Sequence, residues 1–382
     1  MKAVLTLNAG SSSVKFALFA ALGDRPLATG MADRIGAEGV LRLTGPEGAL
    51  PVVAGDLTTH AGAIRAAIDS FRRAFADLDL GAVGHRVVHG GARHAAPVTV
   101  TDTMLAELEA LAPFAPLHQP HNLAGIRAAM RAFQGVPQVA CFDTAFHRGQ
   151  PWVNDTYALP RSFYDEGVRR YGFHGLSCQY VADVLPDRLA QGRVVVAHLG
   201  NGASMCAIAQ GRSVASTMGF SALDGLPMGT RCGQIDPGVL LYLMQTGMTA
   251  GQISDLLYTQ SGLLGLSGLS NDMRSLMASP APEAAEAIAY FVARCQREIA
   301  SLAAAMGGID ALVFTGGIGE NAAPVRAAIC TGLGWMGIGV EPARNAAAGP
   351  VISDDGGRVA VLVIPTNEEL VIARAAREAV KP

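Results

Sequence analysis

Two widely separated stretches of this chain share one unusual design. Asn8-Ala9-Gly10-Ser11-Ser12-Ser13-Val14-Lys15 and His198-Leu199-Gly200-Asn201-Gly202-Ala203-Ser204 each follow a short apolar run and precede another. The runs flanking the first, residues 4–7 and 16–19, read as paired strands. Each stretch is therefore the turn of a β-hairpin, not the strand-to-helix loop of a GxxxxGK[ST] motif. Small residues let a backbone approach a phosphate, their N–H groups and hydroxyls supply donors, and Lys15 adds a point charge at the rim. A nucleotide site built from two such hairpins excludes the P-loop folds.

A chain of 382 residues exceeds what one hydrophobic core usually serves, so two domains are expected, with a ligand cleft between them. The formal net charge is −3 and Lys and Arg are scattered, which leaves no nucleic-acid footprint. Six cysteines without a CxxC pair sit in apolar or glycine-rich stretches, the pattern of reduced thiols in a cytoplasmic protein. Lys2 leads straight into a strand and the apolar runs are brief, so neither a signal peptide nor a membrane span is expected.

Strands and helices alternate along the chain. Residues 1–7 and 14–19 form the first hairpin and residues 27–35 a further strand, while Ile64, Ala67, Ile68, Phe71 and Phe75 stripe a helix. Strands are predicted over 82–88 and 138–142, with a helix over 123–133 between them. The pattern then restarts, with strands near 193–199, 204–209, 213–217 and 311–314 and a long helix opened by Pro282. A final strand, 359–364, and a helix, 368–379, return to the first half. The predicted domains are 1–149 plus 366–382, and 150–365.

Chemistry is expected where these strands stop. Thr315-Gly316-Gly317-Ile318-Gly319-Glu320-Asn321 reads as a third glycine loop, opening a helix at Asn321 and offering N–H groups to a nucleotide's sugar or base. Gly84-His85-Arg86-Val87-Val88-His89-Gly90-Gly91 places an arginine inside an apolar strand, where it needs either a structural carboxylate or an anionic ligand. Asp143 ends a strand and is either an N-cap or a group at the sheet's carboxyl edge, where open α/β sheets bind ligands. His174 and Arg231 stand at the tips of two glycine-bracketed loops. They are either incidental surface groups or donors aimed at the charge that develops in phosphoryl transfer. His85, His89, His118, His121 and His147 crowd the first half, but His85 and His89 lie four apart on a strand, a spacing that does not converge on a metal as it does on a helix. A hard cation with Asn8 and Glu368 as candidate ligands suits a phosphate substrate better.

Together these segments resemble the acetate kinase family, within the acetate and sugar kinase, heat-shock-70 and actin superfamily. The matching motifs are 8–15, 84–91, 142–147, 171–175, 198–202, 228–237, 271–274, 316–321 and 365–369, and they span nearly the whole chain. The resemblance implies an α/β fold of two ribonuclease-H-like (actin-like ATPase) domains with an interdomain active-site cleft, and a cytoplasmic homodimer. It implies reversible transfer of the ATP γ-phosphate to acetate, or to another short carboxylate such as propionate, giving acetyl phosphate and ADP by direct in-line displacement with Mg2+ or Mn2+. The first domain would carry the carboxylate and metal, the second the nucleotide and the dimer contact. By motif, Asn8 and Glu368 would hold the metal, and Ser11, Ser12, Ser13 and Lys15 with His198, Leu199, Gly200, Asn201 and Gly202 the phosphates. Asp272, Met273 and Arg274 with Gly316, Gly317, Ile318, Gly319 and Glu320 would take the nucleoside end. Arg86 would bind the carboxylate, Val88, Leu117 and Phe173 its methyl group, Asp143 would be the acid/base, and His174 and Arg231 would stabilise the transition state.

An aliphatic carboxylate ionises near pH ~4, so at neutral pH it is already nucleophilic and needs no base. Asp143 is therefore expected to position Arg86, Arg231 or the metal. The chain departs from the family at Ser221-Ala222-Leu223, where Thr-Pro-Leu is usual. Loss of that proline ring opens the methyl pocket and predicts that propionate is accepted nearly as well as acetate. Gln119 stands where Asn is common, and the chain is short between residues 36 and 60.

Overall fold

The computed structural model describes residues 2–10, 13–75, 77–116 and 118–380. The first stretch of chain runs β1 (Lys2–Ala9), β2 (Val14–Ala20), β3 (Pro26–Asp33), β4 (Val40–Gly45), β5 (Gly48–Ala49), α1 (His60–Ala74), β6 (Asp79–Val87), β7 (Val98–Thr99), α2 (Asp102–Glu109), α3 (Gln119–Ala132) and β8 (Gln138–Phe142). It continues through α4 (Trp152–Asp155), α5 (Arg161–Asp165), α6 (Gly175–Val184), α7 (Asp187–Ala190), β9 (Arg193–Leu199), β10 (Ala203–Ala209), β11 (Arg212–Ser216), α8 (Pro237–Gln245), α9 (Ala250–Thr259), α10 (Gly262–Ser267), α11 (Met273–Ala278) and α12 (Pro282–Ala305). It ends with β12 (Ala311–Thr315), α13 (Gly316–Asn321), α14 (Ala323–Thr331), α15 (Pro342–Ala346), β13 (Ala360–Val363) and α16 (Glu368–Ala379). Two compact units result, Met1–Arg148 with Asn367–Pro382, and Gly149–Thr366.

The first unit holds a sheet of order β5-β4-β3-β2-β1-β6-β8-β7. β1 to β5 pair antiparallel, whereas β1, β6 and β8 run parallel. Alternation sends Leu5, Leu7, Phe16, Leu18 and Val83 to the face covered by α1 and α3, where they join Ile64, Phe71 and Ala129 in the core. The opposite face takes Asn8 and Lys15, which pair across the hairpin, and Arg86 on β6. Gly84 shares that face, and a Cβ there would come within 2.5 Å of Ile372 on α16. The missing side chain lets α16 lie against β6 and present its first residue, Glu368, to Arg86.

The second unit holds a five-stranded sheet, β11-β10-β9-β12-β13. β9, β10 and β11 are antiparallel, and β12 lies parallel between β9 and β13. This repeats the β3-β2-β1-β6-β8 core of the first unit: three antiparallel strands followed by two parallel ones. The α12 helix, with Pro282 in its first turn, buries Phe291, Cys295, Ile299 and Leu302. The segment expected to be a third glycine loop is instead helical from Gly316 onward. Gly316, at φ +77°, turns β12 straight into α13, and Glu320 Oε1 accepts the Gly316 N–H (2.9 Å) and so caps the first turn. Among the described residues no helix is long and apolar enough to cross a membrane.

Candidate active site

Arg86 leaves β6 on the α16 face, and its two alternatives resolve in favour of protein carboxylates. Asp143, just past β8, accepts from Nε (3.0 and 3.2 Å) and Nη2 (2.7 Å), a bidentate pairing along one edge of the guanidinium. Nη1 lies 3.5 Å from Asn8 Oδ1 and 3.6 Å from Glu368 Oε2. Asp143 is thus no N-cap; that position before the following turn belongs to Thr144. The remaining donors, on the Nη1/Nη2 edge, are the ones a small anion can use. The Arg86 side chain keeps 21% exposure while Asp143 keeps 2%. Burial works against charge on Arg86, but Asp143 and then Glu368 outweigh it and hold the guanidinium protonated. Burial likewise pushes the Asp143 carboxyl above the usual carboxylate range, and Arg86 offsets this only in part.

Asn8 Oδ1 and the Glu368 carboxylate both face Arg86 Nη1, which puts two hard oxygen donors around one nitrogen. That is the set a small divalent cation uses when waters and phosphate oxygens complete its shell. Among the described residues no group of three or more His, Cys, Asp or Glu gathers as a denser metal site. His85 faces the other way and donates Nε2–H to Gln138 Oε1 (2.8 Å). Burial holds its imidazole down to about 4, against a small opposing effect of Gln138. His89 takes the Gly91 N–H at Nδ1 (2.9 Å), and burial together with Arg148 holds it at about 3.

The first hairpin is pinned at its tip, where His60 Nε2 donates to the Gly10 carbonyl (2.8 Å) and the Gly10 N–H donates to the Ser13 carbonyl (2.8 Å). Lys15, exposed on the Asn8 face, lines a groove of about 480 Å³ with Thr29, Met31, Arg42 and Glu369. Ser11, Ser12 and Leu117 lie outside the described residues. Val88 is buried in the first unit, and Phe173 is buried in the second.

In the second unit His174 adopts the left-handed conformation (φ 54°), an uncommon state for a residue with a side chain, and begins α6. Its Nδ1 shares a hydrogen bond with Ser204 Oγ (2.9 Å), and its ring stacks on His198 with centroids 4.3 Å apart. His198 Nδ1 is bonded in the same way to Ser177 Oγ (2.8 Å). A Cβ at Gly202 would lie 3.3 Å from His174 Nε2 and 4.0 Å from Arg231 Nη1, so the hairpin tip, the imidazole and the guanidinium meet at one point. Arg231 Nη1 is 3.4 Å from the Ala222 carbonyl, at the position where the proline is missing.

A second group of expected residues gathers nearby in the same unit. Gly200, Asn201, Asp272, Met273, Arg274, Gly317 and Ile318 line a cavity of about 630 Å³. Asp272 caps α11 and is paired with Arg274 (2.6 Å), which lowers its carboxyl below the usual range. Leu199 is buried in β9 beneath this hairpin, and its carbonyl would sit 2.8 Å from a Cβ on Gly316. Gly316, Gly319 and Glu320 lie outside the cavity lining. Gly319 packs on the Ala197 carbonyl, and Glu320 Oε1 holds the N–H groups of Gly316 and Thr366. Ser177, which bonds His198, and Asn122, which bonds the Ala9 carbonyl and the Val88 N–H in the first unit, carry no sequence signal because single buried polar residues show no periodicity. The neighbouring Asn271, Met277 and Asn321 also line the cavity.

Paired three-plus-two strand cores, each with a glycine-rich hairpin at a parallel strand's end, define a kinase fold of the actin-like ATPase type. The sequence profile of the Acetokinase family matches residues 3–374. The acetate kinase of Methylocella silvestris is 55% identical, over 98% of this chain and 96% of that protein. The acetate kinase of Rhizobium meliloti is 54% identical over 98% and 97%. Among solved structures, a propionate kinase from Francisella tularensis superposes with a TM-score of 0.92 at 36% identity, covering 99% of this chain and 100% of that one. The Porphyromonas gingivalis acetate kinase superposes at 0.89 with 38% identity, covering 100% of each. The chain belongs to the acetokinase family, and it is a kinase whose phosphoryl acceptor is a carboxylate.

Proposed function

We propose that this protein transfers the ATP γ-phosphoryl group reversibly to acetate. A carboxylate oxygen attacks phosphorus, the bond to the β–γ bridging oxygen breaks, and acetyl phosphate and ADP form. The observation that carries this reading is the Arg86 constellation: a permanently charged guanidinium fixed by Asp143 along its Nε/Nη2 edge, with Nη1 turned to the oxygens of Asn8 and Glu368. Arg86 binds and orients the acceptor, which is ionised and needs no general base. Asp143 therefore acts through Arg86 as a positioning group. Asn8 and Glu368 are the residues that would hold Mg2+ or Mn2+, which neutralises phosphate charge when bound. Ser11, Ser12, Ser13, Lys15 and the hairpin from His198 to Gly202 bind phosphate oxygens. His174 and Arg231 donate to the equatorial oxygens as charge spreads over them.

The cavity at Asp272–Arg274 and Gly317–Ile318 takes the adenosine end, with Gly316, Gly319 and Glu320 shaping the helix that forms its wall. The acceptor's methyl group is assigned to Val88, Leu117 and Phe173. The protein is assigned to the cytoplasm as a homodimer. Support for the dimer comes from α8, which is almost wholly apolar yet buries none of its side chains, leaving Leu241, Tyr242 and Met244 exposed. A Leu241→Glu variant should sediment as a monomer.

A hydroxamate assay with acetate, propionate and butyrate, with and without Mg2+, tests the reading directly. Turnover should require the divalent ion. Because Ala222 replaces a ring, propionate should reach a kcat/KM within about tenfold of that for acetate, the scale of one methylene in an apolar pocket. A preference for acetate well beyond that range removes Ala222 from the specificity argument.

A further inference from the structure

The parallel ladder between β1 and β6 ends at the pair Leu7–His85. Beyond it the two strands part, β1 into the hairpin and β6 toward Val88 and the glycine pair. One side chain bridges the gap. Asn122, in the first turn of α3 and 4% exposed, donates Nδ2–H to the Ala9 carbonyl (2.6 Å) and accepts the Val88 N–H at Oδ1 (2.9 Å). A carbonyl only accepts and a peptide N–H only donates, so these partners fix the amide's orientation. Its short reach is possible because Gly125 brings α3 down on the hairpin: a Cβ there would lie 3.0 Å from the Ala9 Cβ. Gln119, one turn earlier, holds the N–H and carbonyl of His89 (3.2 and 3.0 Å) and touches the acceptor strand without bridging to the hairpin.

Ala9 follows Asn8, and Val88 lies two residues past Arg86, whose Nη1 is 3.5 Å from Asn8 Oδ1. We infer that Asn122 is a positioning residue that sets the separation of Asn8 from Arg86, coupling the metal and phosphate side of the first unit to its acceptor arginine. The inference rests on the roles proposed above for Asn8 and Arg86. It assigns Asn122 no contact with substrate. Its effect is on alignment, where small displacements cost large factors in rate.

Two variants separate alignment from mere folding. Asn122→Asp keeps the shape and the Val88 bond but sets a carboxylate against the Ala9 carbonyl, and Asn122→Leu removes both bonds. Melting midpoint, kcat, KM for acetate and the Mg2+ concentration for half-maximal rate are measured for each, well below its midpoint. The expected result is a fall in kcat of about 10- to 100-fold with a raised Mg2+ requirement, the size seen when outer-shell partners of a metal site are removed. Folded variants with the parent's kcat and Mg2+ requirement overturn the inference. Failure of both variants to fold also overturns it, because Asn122 would then serve the fold alone. Arg86→Ala and Asn8→Ala are run alongside. Full activity in those two breaks the underlying reading, whereas their inactivity beside indifferent Asn122 variants breaks only this one.

Discussion

The two hairpins look alike in sequence, but the groups beside them are held in place by different physics. In the first unit Arg86 is fixed by charge: Asp143 and Glu368 surround it, and Asn8 adds an amide oxygen. In the second unit His174 stacks on a ring and bonds a serine hydroxyl, Arg231 reaches a peptide carbonyl, and the absent side chain of Gly202 leaves room between them. The charged arrangement suits a group that must hold one anion in one orientation. Donors gathered at one point in this way suit charge that appears only during transfer, which is where donors gain most.

The contrast is open to direct attack, starting where the effect should be greatest. Arg86→Leu should abolish activity and cost roughly 3–5 kcal/mol of stability in urea unfolding, because two carboxylates lose their partner. A loss under about 1 kcal/mol breaks the claim that charge locks the first unit. Arg231→Ala should lower kcat by roughly 10²- to 10³-fold. An almost fully active, folded Arg231→Ala enzyme removes that side chain from the reaction.

Acid should also separate the units. Unfolded, His85 takes its proton near pH 6.5; folded, burial delays this to about 4. Between these values the unfolded chain binds more protons, so stability is full above about pH 6.5 and falls as the pH drops toward 4, by about 3 kcal/mol from this residue. His89 adds a loss of the same sign. Unfolding of a His85→Leu variant across pH 4–7 should show a visibly shallower slope than the parent. The smallest effect is expected at Gly202→Ala. Its methyl group presses on His174 Nε2 and should cost about tenfold in kcat with little change in melting, through misplacement of the imidazole.

Much of this was legible before any coordinates. The strand over 138–142, the strand over 193–199 and the helix over 368–379 coincide with β8, β9 and α16, because each is a clean run bounded by turn or capping residues. The helices α4, α5 and α7 were not legible. At four or five residues they are too short for a hydrophobic period, and only the prolines at Pro151, Pro160 and Pro186 before them give notice. The stretch from Gly316 to Asn321 misled because glycines weigh against helix locally, whereas Glu320 caps that turn from within. Residue types at the site were readable from glycine and hydroxyl patterns. Their mutual partners were readable only in part: Asp143 was expected to position Arg86, Arg231 or the metal, but nothing local tells that Arg86 meets both Asp143 and Glu368, or that Asn122 bridges two strand ends.

That Glu368 arrives on α16 ties the order of synthesis to the order of assembly. Nearly all of the first unit emerges from the ribosome early, yet the helix that covers one face of its sheet is translated only after the whole of the second unit. Until that helix is released, the nascent sheet exposes Gly84 and its neighbours without a lid, while the second unit is complete in sequence and free to fold. A polypeptide cleaved before residue 367 therefore lacks both the helix that covers this face of the sheet and the carboxylate that faces Arg86.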